Sequence, residues 1–147
     1  MFRNIAAMIA GIVTAFVTIM LIDKIGHMIY PPPEGLDFTD PDALRPYFAT
    51  LPIGAFLFIL ASSVVAAFIG TLIACYIGTA NATLFGAVVG GIVLAATIAN
   101  FIAVPHPLWL SLATLIGIVA STLFAIRVAP PSDAAPPDLF DNDGDTG

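Results

Sequence analysis

Four side chains of this sequence could do chemistry together. Asp23 and His27 stand four residues apart in an apolar segment with helical character, so they share one helix face. Glu34 follows in a proline-rich stretch, and His106 sits within Pro105-His106-Pro107. A carboxylate beside an imidazole can pass a proton, and imidazoles with carboxylates can hold a divalent metal. No His-Glu-x-x-His pattern and no cysteine pair is present, so a metal on His27 and His106 has no ligand spacing of its own. The structural alternative is that Asp23 and Lys24 end a helix, His27 fixes the next loop by a hydrogen bond, and His106 lies at the membrane interface. There is no Gly-rich phosphate loop, nucleophile elbow or redox motif, and neither a catalytic residue nor a cofactor is assigned.

Whether these residues meet depends on the elements that carry them. From Pro46 to Ile126 there is no Asp, Glu, Lys or Arg, and the one imidazole is His106. A soluble domain carries a charge every few residues on its surface, so this stretch belongs in lipid. The 147 residues are 59% hydrophobic and 10% charged, with a mean hydropathy of +1.03, which is the composition of a membrane protein. A span needs about 20 apolar residues, and four fit. They fall at about residues 4–24, 52–76, 82–104 and 108–127. The expected fold is an all-α bundle of four transmembrane helices over residues 1–127, with short extramembrane loops.

The first apolar run is longer than a signal-peptide core and no A-x-A site follows it, so it reads as an uncleaved span. Asp23 and Lys24 mark the far end of the span, the helix can continue to Tyr30, and Pro31-Pro32-Pro33 then stops it, since proline has no N–H to give the helix. Residues 31–51 form the main loop, with a short helix expected from Pro41 to about Phe48, capped by Asp40. The acidic tail, residues 128–147, has too little apolar surface to order itself. Its Asp141-Asn142-Asp143-Gly144-Asp145 has its glycine misplaced for a calcium loop and lacks the closing glutamate.

Four spans put both termini on one side. Arg3 and Arg127 flank that side and Lys24 and Arg45 the other, a tie in the basic-residue count. Arg3 lies beside the first span, which usually dominates, so both termini are expected in the cytoplasm and loop 31–51 in the periplasm. The net charge of −6, with only four basic residues, excludes nucleic acid as a partner. Cys75 falls inside a span and reads as a small apolar residue.

Association in lipid relies on close approach at small residues. Stripes of period four run along every span: Ala7, Gly11, Ala15; Ser62, Ala66, Gly70, Ala74, Gly78; and Ala113, Gly117, Ser121, Ala125. The third span has two, Ala82, Gly86, Gly90 and Ala87, Gly91, Ala95, Ala99, which makes it the expected centre. Gly86 and Gly90 could equally form a face for a second copy. Polar residues deep in the spans are uncharged. Ser and Thr can bond the carbonyl one turn back, whereas Asn100 is expected to bond a neighbouring helix. The lack of a deep carboxylate in the last three spans counts against proton-coupled transport.

The run Gly26-His27-Met28-Ile29-Tyr30-Pro31-Pro32-Pro33-Glu34-Gly35, with Pro105-His106-Pro107-Leu108-Trp109 later, resembles a group of small, uncharacterised four-span inner-membrane proteins of bacteria. The resemblance covers roughly residues 5–127. It implies bacterial origin and the four-span plan, and it carries no activity.

Three functional classes follow. The leading one is a non-enzymatic accessory or assembly subunit, or a small homo-oligomer, whose partners are the lipid bilayer and another membrane protein or its own copies. The second is a small-solute or ion pathway lined by Ser62, Thr97 and Asn100. The third is an enzyme or metal site at the periplasmic face built from Asp23, His27, Glu34 and His106.

Overall fold

The computed structural model describes residues 2–78, 81–104 and 106–130. They form five helices: α1 (Phe2–Ile29), α2 (Pro41–Thr50), α3 (Ile53–Ile77), α4 (Ala82–Ala103) and α5 (Leu108–Val128). Helices α1, α3, α4 and α5 are each long and apolar enough to cross a membrane. The chain is thus an all-α, multi-pass membrane protein with a four-helix bundle. Most of the expected tail, from residue 131 on, lies outside the described residues.

The bundle is assembled through small residues. Helices α1 and α3 run antiparallel along their whole length, with Ala7, Gly11 and Ala15 of α1 buried against the buried stripe Ser62, Ala66, Gly70 and Ala74. Gly86 of α4 packs on Cys75 and Thr71 of α3, Gly90 of α4 on Thr122 of α5, and Gly117 of α5 on Val64 of α3. At each of these three positions a Cβ would collide with its neighbour, so glycine is what lets the helices meet.

Two expectations about packing are corrected. The most deeply buried span is α3, the second, and not the third. Only one of the two stripes on α4 faces inward: Ala87, Gly91, Ala95 and Ala99 are all exposed, and a Cβ on Gly91 would meet nothing within 4 Å. On α5 the buried face is Leu110, Thr114, Ile118, Thr122 and Ala125, one residue round from the small stripe. Of that stripe only Ala125 is fully buried.

The loop side is closed by α2. The Asp40 side chain accepts from the Asp42 N–H at 2.9 Å, and Pro41 opens the helix where its missing N–H costs nothing. The helix ends at Thr50, two residues beyond the expected Phe48. Ahead of it, Gly35 takes φ +78° in the turn closed by the Leu36 N–H and the Pro33 carbonyl, a conformation that glycine adopts freely. Asp37 accepts from the Thr39 N–H at 2.8 Å and its hydroxyl at 2.6 Å, which holds its carboxyl below the usual range. Leu44 is 2% exposed. The cap thus reaches the bundle with its side chains.

Candidate functional site

Helix α1 runs past Asp23 and Lys24 to Ile29, up to the prolines that stop it, and this decides the site. Asp23 is held about 9 Å before the helix end, at 1.5 Å per residue. It faces inward: its carboxylate lies beside the Ser62 hydroxyl of α3 and near His27, one turn on. The Ser62 hydroxyl donates to the Ile59 carbonyl at 3.0 Å, so its single proton has two acceptors to choose between.

Asp23 opens onto two cavities. A chamber of about 310 Å³ lies under the α2 cap, walled by His27, His106, Asn100 and the rings of Tyr30, Phe48 and Phe58. A crevice of about 280 Å³ continues deeper between α1, α3 and α4, past Ser62, Ser63, Thr97 and Asn100 to Ile12 and Ile92. Asp23, Ile59 and Asn100 line both, so the two adjoin at these residues and together make a track. Phe16 on α1 and Ile92, Ala96 and Asn100 on α4 are exposed, which leaves the crevice open to lipid between these helices. Its deep end is shut. Just below Ile12, Gly11 packs against Gly70 and against Val89, which is wholly buried.

The structure brings the expected residues together unevenly. Asp23, His27 and His106 share the chamber, and Ser62, Thr97 and Asn100 share the crevice. Glu34 is exposed in its turn and lines neither. Among the described residues, no three His, Cys, Asp or Glu side chains come close enough to hold a metal ion. His27 makes an edge contact with Phe38, ring centroids 6.1 Å apart.

His106 is placed as a wedge. Its Nδ1–H donates to the Val104 carbonyl at 2.8 Å, which sets the tautomer because a carbonyl can only accept. Its ring is gripped by Phe48 of the cap at 4.7 Å and Phe101 of α4 at 4.9 Å between centroids. Burial pushes the imidazole below its ordinary pKa, opposed in part by the Val104 hydrogen bond, so at neutral pH it is uncharged. Phe48 also stacks on Phe56 at 6.2 Å, and Phe56 meets Trp109 edge-on at 5.9 Å. This chain of rings holds the cap over the chamber. Burial raises the Tyr47 phenol, which also lines the chamber.

Hydroxyls inside the spans mostly turn back on their own helix. Thr18 donates to Thr14 and Thr97 to Val93, each at 2.8 Å, and Ser121 to Ile118 at 3.0 Å. Three buried hydroxyls, on Thr71, Thr114 and Thr122, have no partner among the described residues. Thr114 and Thr122 escape a sequence reading that follows small residues, although with Ile118 they form a period-four row of their own. Asn100 departs from expectation: its amide makes no hydrogen bond to a neighbouring helix among the described residues and stands at the junction of the two cavities.

No protein-family model matches the chain, and comparison with curated proteins and with solved structures finds no match either.

Proposed function

We propose that the chain is a non-enzymatic component of a bacterial inner membrane, with its termini in the cytoplasm and the α2 cap in the periplasm. It holds a small ligand within the membrane, as an accessory or assembly subunit would. The observation that carries this reading is the shape of the track: chamber and crevice join at Asp23 and Asn100 and end blind at Gly11, Gly70 and Val89. Conduction needs a path across the membrane, and a track shut at its deep end favours holding over passage. Catalysis has less support, because the His106 ring is committed to Val104, Phe48 and Phe101. The bacterial membrane rests on the Gly26–Gly35 and Pro105–Trp109 motifs, and the orientation on Arg3 beside the first span.

Native mass spectrometry of the protein extracted in mild detergent, paired with liposome flux, tests this. The expected result is a small molecule retained in stoichiometric amount and flux equal to that of empty vesicles. Flux above that background, lost on changing Asn100, would replace holding with conduction.

A second reading, self-assembly or attachment to another membrane protein, is favoured by the outer face of α4. Its stripe Ala87, Gly91, Ala95 and Ala99 is exposed, whereas Gly86 and Gly90 are used inside the chain. Gly91→Ile should then dissociate the complex and spare the bundle.

A further inference from the structure

The walls of the track say what kind of ligand suits it. Its one carboxylate is Asp23, and none of Arg3, Lys24, Arg45 and Arg127 lines either cavity. Lys24 is exposed, and the side chain that interacts with Asp23 from its own helix is His27, one turn on. A carboxylate inside a span is costly unless a positive charge or hydrogen-bond donors face it. Tyr30, Tyr47, Phe48 and Phe58 surround the same chamber, and the faces of aromatic rings attract cations. An anionic head group, by contrast, would meet a carboxylate with no lysine or arginine to hold it.

Beyond Asp23 the chemistry changes. The crevice is walled by Ile12, Phe16, Ile19, Ile92 and Val93 and opens sideways to lipid. From Asp23 to Ile12 along α1 is about 16 Å, enough for an alkyl chain of about a dozen carbons. An acidic, ring-lined head chamber thus leads, past Ser62, Thr97 and Asn100, into a mainly apolar slot.

We infer that the joined cavity is the binding site of an amphiphilic organic cation, with its ammonium head against Asp23 among the aromatic rings and its single apolar chain in the crevice between α1 and α4. This rests on the ligand-holding reading above and names the class of ligand held.

The test titrates the full-length protein in maltoside micelles with dodecyltrimethylammonium and, separately, with uncharged dodecanol, by calorimetry against protein-free micelles. The cation should bind saturably, one per chain, and at least about tenfold tighter than the alcohol, since a desolvated charge pair is worth more than a neutral contact. Asp23→Asn should abolish that preference. Ala96→Trp, on the exposed rim of the crevice, should weaken both probes by at least about tenfold, because it blocks the slot they share. Equal affinity for the two probes on the unaltered protein overturns the inference, whatever the variants do. Preference for the cation retained in Asp23→Asn overturns it as well. If the probes bind equally and Ala96→Trp removes both, ligand holding survives and the cation does not. If neither probe binds, or Ala96→Trp changes nothing, both readings fall.

Discussion

Gly11 of α1 and Gly70 of α3 stand face to face, each where a Cβ would lie within 2.7 to 2.8 Å of the other's carbonyl oxygen. The obstacle on each side is backbone, which cannot swing away as a side chain can. The same contact closes the crevice below Ile12, so one crossing both joins the two helices and blocks the track. Gly11→Ala is therefore expected to destabilise the bundle by about 1–2 kcal/mol, the overpacking penalty exceeding alanine's better helix propensity. Gly91→Ala, which meets nothing within 4 Å, should be neutral or stabilising by up to about 1 kcal/mol, since only alanine's better helix propensity acts there. Unfolding in mixed detergent and dodecyl sulfate micelles measures both, and equal midpoints for the two variants would refute the crossing.

His106 should make stability depend on pH. Its folded pKa lies below the ordinary value, with burial as the main cause. On acidification the unfolded chain binds its proton first. The stabilisation is complete above the unfolded value of about 6.5 and is lost as pH falls towards the folded value. Wild type should lose more thermal stability than His106→Phe, which keeps a ring between Phe48 and Phe101 but takes no proton. The comparison is made between about pH 7.5 and about pH 5. Parallel curves for the two proteins would mean that the wedge titrates freely.

The three unpartnered hydroxyls predict an unusual result. Thr71, Thr114 and Thr122 bury an oxygen without a hydrogen bond, which costs about 1–3 kcal/mol each. Valine has nearly the same shape and no hydroxyl, so Thr71→Val, Thr114→Val and Thr122→Val should each be neutral or stabilising by up to about 1 kcal/mol. Thr97→Val is the contrast, since Thr97 donates to Val93 at 2.8 Å, and it should lose up to about 1 kcal/mol. Unfolding midpoints of the four variants give the answer; a clear loss in the first three would show that those hydroxyls have partners.

The cap should be separable from the bundle. Asp40 caps α2 through the Asp42 N–H at 2.9 Å, and Asp40→Ala should cost α2 about 1 kcal/mol. Hydrogen exchange should quicken over residues 41–50 and stay unchanged in the four spans. Phe48→Ala should have a wider effect, because it removes the ring that links the cap to both His106 and Phe56. Exchange that rises equally in the spans of Asp40→Ala would show that cap and bundle unfold together.

Much of the architecture is legible in one dimension because lipid imposes its rule locally. The absence of charge from Pro46 to Ile126 is a property of composition, and a chain in hydrocarbon must bond its own backbone, so helices follow without tertiary detail. The Asp40-Pro41 start of α2 is equally local, a side chain serving an N–H two residues on. Even the glycines at the crossings can be picked out by their period of four, since only small residues allow backbones so close.

What the sequence determined by itself, then, was the medium, the helices and the residues able to carry chemistry. The tertiary structure decided which of them meet. The two stripes of α4 are alike as strings, yet Gly86 and Gly90 of one are buried against α3 and α5 and the other is exposed, because the facing depends on neighbours far away in the chain. Asp23 stands on a helix that can be read as running up to the prolines, but only the packing of α1 on α3 turns it towards Ser62, while Glu34, only eleven positions on, is left outside. Asn100 stands at the junction of chamber and crevice for the same reason: cavities are spaces between elements, and no local pattern records the gap that α1 and α4 leave between them.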